Sequence, residues 1–486
     1  MTPLWPCGWT DCQLPAVQRV GDCLLCDSHL CRLHLQEPWH GCPKPESNWS
    51  EYSAQFAAAE AQRLDKLCRK INGVELCARA SQVRSGTNVP CSVDLSPRNF
   101  SAMMGGQNCH AEIKFEDGAV WLARFRLSSA ISPPTEIRDY VLQSEATTMQ
   151  FLERYTRIPS PRVFDWACES DPTNTIGVGY ILMEKMPGTP LEWQSATAVQ
   201  KEKIVRQLAE IMLELERHPF DQFGSLIATE AGGETTSRAT AISHQMQLGG
   251  LAQHSTFRSG DGGRPLGPFH SSQDAFRALV EAHLRMIVAG EIGTAENALD
   301  VFLAHRFRLD ILDRVSEHIG TASNGGERFF LKHADDKGDH ILVNADFEIV
   351  GIIDWEWCST TSKQEAFSSP CMMWPVAAFY GGSNKLAEEE ILLARVFRES
   401  GRDDFACCVL DGRKVQRLLF ALGPGGTSHT NGRTLASLFT GLKQAFDGHG
   451  FKTDRQGVED SWEVWKAKAL EDWKHENKLK VVLSSK

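Results

Sequence analysis

Between Arg328 and Trp357 the chain reads RFFLKHADDKGDHILVNADFEIVGIIDWEW. Two short apolar runs, Ile341 to Val343 and Ile349 to Ile353, flank the polar turn Asn344-Ala345-Asp346, a pattern that closes most naturally as a hairpin. An acidic loop ending on His340 leads into the first run, and the second run ends on Asp354, followed by Trp355 and Glu356. Such a hairpin delivers two carboxylates to one place, Asp335 from the loop before the first strand and Asp354 from the end of the second. A carboxylate to hold a hydroxyl and a carboxylate to hold a metal are the parts phosphoryl transfer needs. Its transition state asks for positioning and charge neutralisation more than for covalent chemistry.

His333-Ala334-Asp335, with His340 five residues beyond the Asp, resembles the catalytic loop of the protein-kinase-like phosphotransferases, His-x-Asp followed five residues later by Asn. Ile353-Asp354-Trp355-Glu356 resembles the Ile-Asp-Trp-Glu segment of their aminoglycoside phosphotransferase branch, and Asp335 to His340 is similar to a fungal subgroup of that branch. The resemblance implies an α+β, bilobal protein-kinase-like fold with a small β-rich N-lobe and a larger helical C-lobe. It implies ATP and Mg2+ (or Mn2+) as cofactors and a hydroxyl of a small molecule as acceptor. Asp335 would then accept the proton of that hydroxyl and Asp354 would hold the metal. His340 stands where the family has a metal-holding Asn. Magnesium wants oxygen ligands and imidazole suits softer metals, so His340 would orient the loop or ligate a metal poorly.

Upstream, Met104-Gly105-Gly106-Gln107-Asn108 precedes an alternating strand with Ala111, Ile113 and Phe115; Asp117-Gly118 turns it, and Val120 to Phe125 returns. Glycines before a hairpin let backbone amides approach a phosphate, which makes Gly105 and Gly106 candidates for nucleotide contact. By the resemblance, Arg124 takes the place of the phosphate-pairing basic residue, with Arg126 as its rival. Glu145, on a helix from about Ile137 to Tyr155, matches that residue's ion-pair partner. The apolar strand Tyr180 to Met183 breaks at Glu184-Lys185-Met186-Pro187-Gly188. A strand end of this kind suits a hinge over an adenine ring, with Glu184 and Met186 offering backbone contacts.

Cys7, Cys12, Cys23, Cys26, Cys31, His34, His40 and Cys42 crowd the N-terminus and are the ligand types tetrahedral zinc selects, enough for two ions. A segment this short has few apolar residues to bury and little other reason to fold. A disulfide knot is the alternative, and it needs an oxidising compartment that nothing in the chain indicates. The spacing resembles the AN-one class of zinc finger. That resemblance assigns Cys7, Cys12, Cys31 and His34 to one ion and Cys23, Cys26, His40 and Cys42 to the other, both structural. His29 falls outside the pattern, and the four-residue gap between Cys7 and Cys12 is longer than that class usually shows. Fingers of this kind serve as interaction modules, so a protein partner is implied.

The chain divides into the finger (1–45), a helical linker (46–96), an N-lobe (97–186), a C-lobe (187–445) and a C-terminal helix (446–486). Glu51 to Ile71 reads as a helix spacing the finger from the rest and stopped by Asn72-Gly73; Ser81 to Pro97 reads as a loop. Helices are expected over Thr197 to Arg217, Ser272 to Val288 and about Glu459 to His475, with a long Gly-rich loop from Thr229 to Ser271. The triad Glu388-Glu389-Glu390 reads as a solvated face or a lure for a cationic substrate. A net charge of −11 argues against a nucleic-acid partner, no apolar run reaches membrane-spanning length, and scattered cysteines without a signal-like N-terminus suit a cytoplasmic protein. Two further readings stay open: a degenerate member that binds nucleotide without transferring phosphate, and an adaptor working through its finger.

Overall fold

A computed structural model of the chain describes residues 3–84, 89–105, 107–129, 131–229, 245–253, 256–319, 326–421, 432–447 and 455–484. Gly106 and much of the expected 229–271 loop lie outside the described residues. The finger carries the hairpin β1 (Asp22–Cys23) and β2 (Ser28–His29). Helices α1 (Trp49–Lys70) and α2 (Gly73–Val83) follow. The Asn72-Gly73 stop does end α1, but the Asn72 side chain also accepts from the Glu75 amide and so starts the next helix at once. Nor is α1 a free spacer, because Leu64 and Leu67 are buried in a core shared with Phe100, Ile113 and Phe125.

The small lobe is an antiparallel sheet of five strands: β3 (Cys91–Val93), β4 (Asn108–Phe115), β5 (Val120–Arg126), β6 (Val163–Ala167) and β7 (Tyr180–Glu184), in the order β3-β4-β5-β7-β6. The stretch read as a loop therefore contains an edge strand, β3, and the short α3 (Pro97–Ala102), capped by Ser96. Alternation along β5 buries Trp121, Ala123 and Phe125 against α1 and puts Leu122, Arg124 and Arg126 on the other face. That face meets α4 (Thr135–Tyr155). On α4, Ala146, Met149 and Leu152 pack with Ile181 and Met183 of β7, and Glu145 is buried beside them.

The larger lobe is mainly helical. Thr197 and Gln200 form a capping box at the start of α5 (Ala198–Glu216), and Gly290, at φ +87°, ends α6 (Ser272–Ala289), which packs on α7 (Ala298–Ile319). Short strands sit between the lobes. The expected hairpin is present as β12 (Ile341–Val343) and β13 (Ile349–Ile352), and it adds β8 (Thr189–Pro190) on its other side. Two more antiparallel pairs are β9 (Ser225–Thr229) with β10 (Gln245–Gly249) and β11 (Phe329–Lys332) with β14 (Ser359–Ser362).

All four residues of β14 are buried despite their polarity. Their hydroxyls find partners, as when Thr360 donates to the Gln222 carbonyl at 2.7 Å. Of the acidic triad, Glu390 is buried and bonds Arg413 at 2.6 Å, and Glu389 bonds Lys201, so two of the three carboxylates are structural. Trp462 and Trp465 of the helix Arg455–Asp472 pack on Phe439.

Candidate active site and metal centres

The N-terminal cysteines and histidines gather into the two expected sets. Ligand atoms of Cys7, Cys12, Cys31 and His34 lie within 4.8 Å of one another, as do those of Cys23, Cys26, His40 and Cys42. Ideal tetrahedral bonds of about 2.3 Å to sulfur and 2.0–2.1 Å to nitrogen put ligand atoms about 3.6–3.8 Å apart. Cys7 Sγ and Cys31 Sγ each lie 3.4 Å from His34 Nδ1, Cys12 Sγ lies 3.9 Å from Cys31 Sγ, and Cys26 Sγ lies 3.8 Å from His40 Nε2. The residues therefore fit zinc. Burial, with Cys7 adding to it, pushes the Cys31 thiol up to about 11, and burial beside Cys23 and Cys26 pushes Cys42 up to about 12. A dication is the charge that lets such clusters ionise. His29 stands outside both sets and meets Asp22 at 3.0 Å.

The finger is fastened to the body. Arg32 donates to three backbone carbonyls beyond the end of α6 or on its last turn, those of Ile287, Ile292 and Gly293, at 2.5 to 2.8 Å. The Gln18 amide donates to the Glu291 carbonyl at 2.8 Å, and Trp5 is buried with Ile137 and Val141 of α4 and with Phe257.

Between the lobes, Arg124 is buried and forms an ion pair with Glu145 through Nη1. Its Nη2 reaches Asp354 Oδ1 at 3.0 Å and Glu356 Oε2 at 2.9 Å. Arg126, on the same face of β5, pairs with Glu356, which also accepts from Asn108 Nδ2 at 2.8 Å. The two arginines read as rivals are thus partners. Burial works against the charge of Arg124, and Asp354 offsets it. Asp354 itself adopts φ +63° with its side chain about half exposed. A non-glycine residue in that left-handed region is held by its surroundings, and here the carboxylate points into the space between the lobes.

The loop bearing Asp335 is tied to the strand end bearing Asp354. His333 Nδ1 accepts from the Asp335 amide at 3.2 Å, so the proton is on Nε2, which donates to the Ile353 carbonyl at 3.0 Å. Burial holds His333 below its ordinary value. His340 stacks on His333 with ring centroids 4.2 Å apart, and burial next to His333 pushes it down to about 2. Its backbone carbonyl accepts from the Ile353 amide at 2.9 Å. The His340 imidazole is buried, and its Nδ1 accepts from the Gly338 amide at 3.4 Å. The neighbouring Asp336 is a half-buried strut that accepts from the Cys371 amide at 3.0 Å and from Lys332 at 3.2 Å. Burial alone would raise its carboxyl, but Lys332 and the Cys371 amide outweigh that and hold it low. Asp335 is left more open, with Lys337 at 2.8 Å.

The other nucleotide candidates are placed with less freedom. The Gly105 amide donates to the Asn108 carbonyl at 2.8 Å, so it closes its own turn. The Glu184 amide donates to the Arg162 carbonyl at 2.8 Å. Met186 packs over Gly351 of β13, where a Cβ would come within 3.3 Å of it. Residues that sequence reasoning missed are Glu356, Arg126 as a member of the cluster, and Asp336. The Asp354-Trp355-Glu356 spacing carried the signal for the first.

Residues 133–361 match the family model described as "Phosphotransferase enzyme family", a segment that contains both quoted motifs. Two curated relatives, subtelomeric hrmA-associated cluster proteins from two strains of Aspergillus fumigatus, are each 32% identical, over 139 and 135 residues. The first match covers 28% of this chain and 26% of the relative, so the likeness spans about a quarter of each. Among solved structures, the GDP complex of aminoglycoside 2'-phosphotransferase-IIIa is 15% identical at TM-score 0.38, covering 84% of this chain and 99% of that one. An ethanolamine kinase of Plasmodium vivax is 9% identical at TM-score 0.39, covering 86% and 89%. A macrolide 2'-phosphotransferase of Brachybacterium faecium is 14% identical at TM-score 0.34, covering 78% and 98%.

Proposed function

We propose that the chain is an ATP-dependent phosphotransferase acting on a hydroxyl of a small molecule, with Mg2+ or Mn2+ as the working metal and zinc as a structural one. The observation that carries this reading is the convergence of Arg124, Glu145, Asp354 and Glu356, while His333 ties the Asp335 loop to Ile353. In this reading Asp335 accepts the proton of the acceptor hydroxyl as its oxygen bonds to the γ-phosphorus and the bond to ADP breaks. Asp354 holds the divalent metal, which neutralises charge on the phosphates. Arg124, set by Glu145, reaches the phosphates once its contact with Asp354 opens. Met186 and the Glu184 carbonyl border the base, and Gly105 borders the phosphates. None of the fifteen cysteines is in a disulfide, which suits a reducing, cytoplasmic setting. Among the described residues no helix is long and apolar enough to cross a membrane.

The test is ADP formation by the zinc-loaded chain with magnesium or manganese, beside Asp335→Asn. A loss of about 10²–10⁴-fold in the variant, with nucleotide binding retained, supports the reading. The imidazole of His340 favours one second reading, a nucleotide binder without turnover. ATP binding with no ADP formed from any acceptor would select it. An adaptor role draws on the outward face of the finger, where Trp9, Leu14, Leu33 and Trp39 are exposed. Removing residues 1–45 would then abolish complex formation and leave turnover intact.

A further inference from the structure

A cavity of about 740 Å³ lies between the finger and the small lobe, a size that suits a small ligand. Its walls come from the finger, helix α1, the turn around Gly105, the end of β5 with the segment after it, and the single residues Ile292 and Trp357. Two of its lining residues link it to the candidate active site. Arg126 pairs with Glu356 of the buried charge cluster, and Trp357 is three residues beyond Asp354. The cavity therefore lies beside the glycine turn and the segment that follows Asp354, and neither Asp335 nor Asp354 is among its lining residues. The finger wall is held in place, since Trp5, itself a lining residue, is buried against α4, and Arg32 is bonded to three carbonyls at the end of α6.

The lining restricts what can enter. Phe56 and Ile131, with the mostly buried Trp5, Leu64 and Ile292, make the apolar part of a mixed lining. Charged lining residues are Arg19, Arg63 and Arg126 against Asp22 and Glu60, three cations to two anions, and Asp22 already meets His29. A polycation would find no acidic cluster here and would have to shed its hydration beside arginines.

We infer that this cavity is a small-molecule site separate from the acceptor position at Asp335, that the zinc finger is one of its walls, and that it takes an uncharged, ring-bearing or otherwise apolar alcohol rather than a polycationic aminoglycoside. The site and its selectivity rest on the cavity and not on the phosphotransfer reading. Apolar contact with Phe56 and Trp5 would hold the body of the molecule, and its hydroxyl would face the Arg126 end.

The test uses the full, zinc-loaded chain with a non-hydrolysable ATP analogue and two probes, 2-naphthalenemethanol and kanamycin, followed by ligand-observed NMR. The naphthyl alcohol should bind saturably and kanamycin should not. Glu60→Trp, which places an indole in the cavity from the face of α1 that also carries Phe56 and Leu64, should weaken naphthyl binding at least 10-fold. Phe56→Ala should weaken it as well, with zinc content and melting temperature as fold controls for both. Kanamycin binding in place of the alcohol, equal alcohol binding by wild type and Glu60→Trp, or no alcohol binding at all would each overturn the inference.

Discussion

Arg124 offers the sharpest perturbation because the charges around it can be counted. Two cations, Arg124 and Arg126, face three anions, Glu145, Glu356 and Asp354, and only Asp354 has substantial exposure. Arg124→Met leaves Arg126 alone with three carboxylates, and Glu145 loses the cation it is paired with. Removing one partner of a buried pair costs about 3–5 kcal/mol, because the remaining charge stays buried without compensation. Glu145→Met is different: Arg124 keeps Asp354 and Glu356, leaving two cations to two anions, and the cost should be about 1–2 kcal/mol, near that of one charge-assisted hydrogen bond. The double variant removes both the cation and the stranded carboxylate, so it should be more stable than Arg124→Met alone, by about 1–3 kcal/mol on typical couplings between contacting residues. Urea unfolding of the zinc-loaded proteins measures all three. Equal losses in the two single variants, or losses that simply add in the double, would refute the view that Arg124 is the hub of a five-member cluster.

Other outcomes follow from the same geometry. Asp336→Ala should destabilise the chain by about 2–4 kcal/mol, since it strands Lys332 and the Cys371 amide, whereas Asp335→Asn should change stability by less than about 0.5 kcal/mol; unfolding curves compare them. His110 is half-buried on β4, and desolvation beside Arg124 lowers it to about 4 from an ordinary value near 6.5. The unfolded chain thus binds the extra proton first, so this contribution is complete above about pH 6.5 and is lost as pH falls toward 4. At about pH 5 the loss is about 2 kcal/mol, and His110→Gln should flatten that part of a stability–pH profile. Cys31→Ser removes a thiolate from one of the two ligand sets and should halve the zinc bound per chain, read by metal analysis. The melting temperature should fall with it, because Trp5 and Arg32 anchor the finger to α4 and α6.

Much of the site was legible because its signals are local. The β12–β13 hairpin followed from two apolar runs about a polar turn, and the helix bearing Glu145 from its own composition. The zinc ligands announced themselves by residue type, and a resemblance supplied their pairing. Other features gave no such signal. Asp335 and Asp336 are adjacent and chemically identical, yet Asp335 is the more exposed and Asp336 is a half-buried strut, a difference set by Cys371 and Lys332. The run Ser359 to Ser362 reads as polar surface but is a buried strand, since its hydroxyls are satisfied by carbonyls and carboxylates elsewhere. Helix α1 reads as a spacer because its buried stripe is narrow, with Leu64 and Leu67 as its buried residues.

The amino-acid order alone determined which chemistry is present: thiols and imidazoles at metal-ligand spacing, a strand that turns Arg124 and Arg126 to one face, and a hairpin that ends on an aspartate. Those properties act over a few residues and need no partner. Tertiary structure alone decided that Arg124 meets Asp354 and Glu356, 230 and 232 residues away, and that the finger closes a cavity against α1. Contacts of that range depend on how packed elements dock, and a one-residue shift in register would turn both arginines to the opposite face.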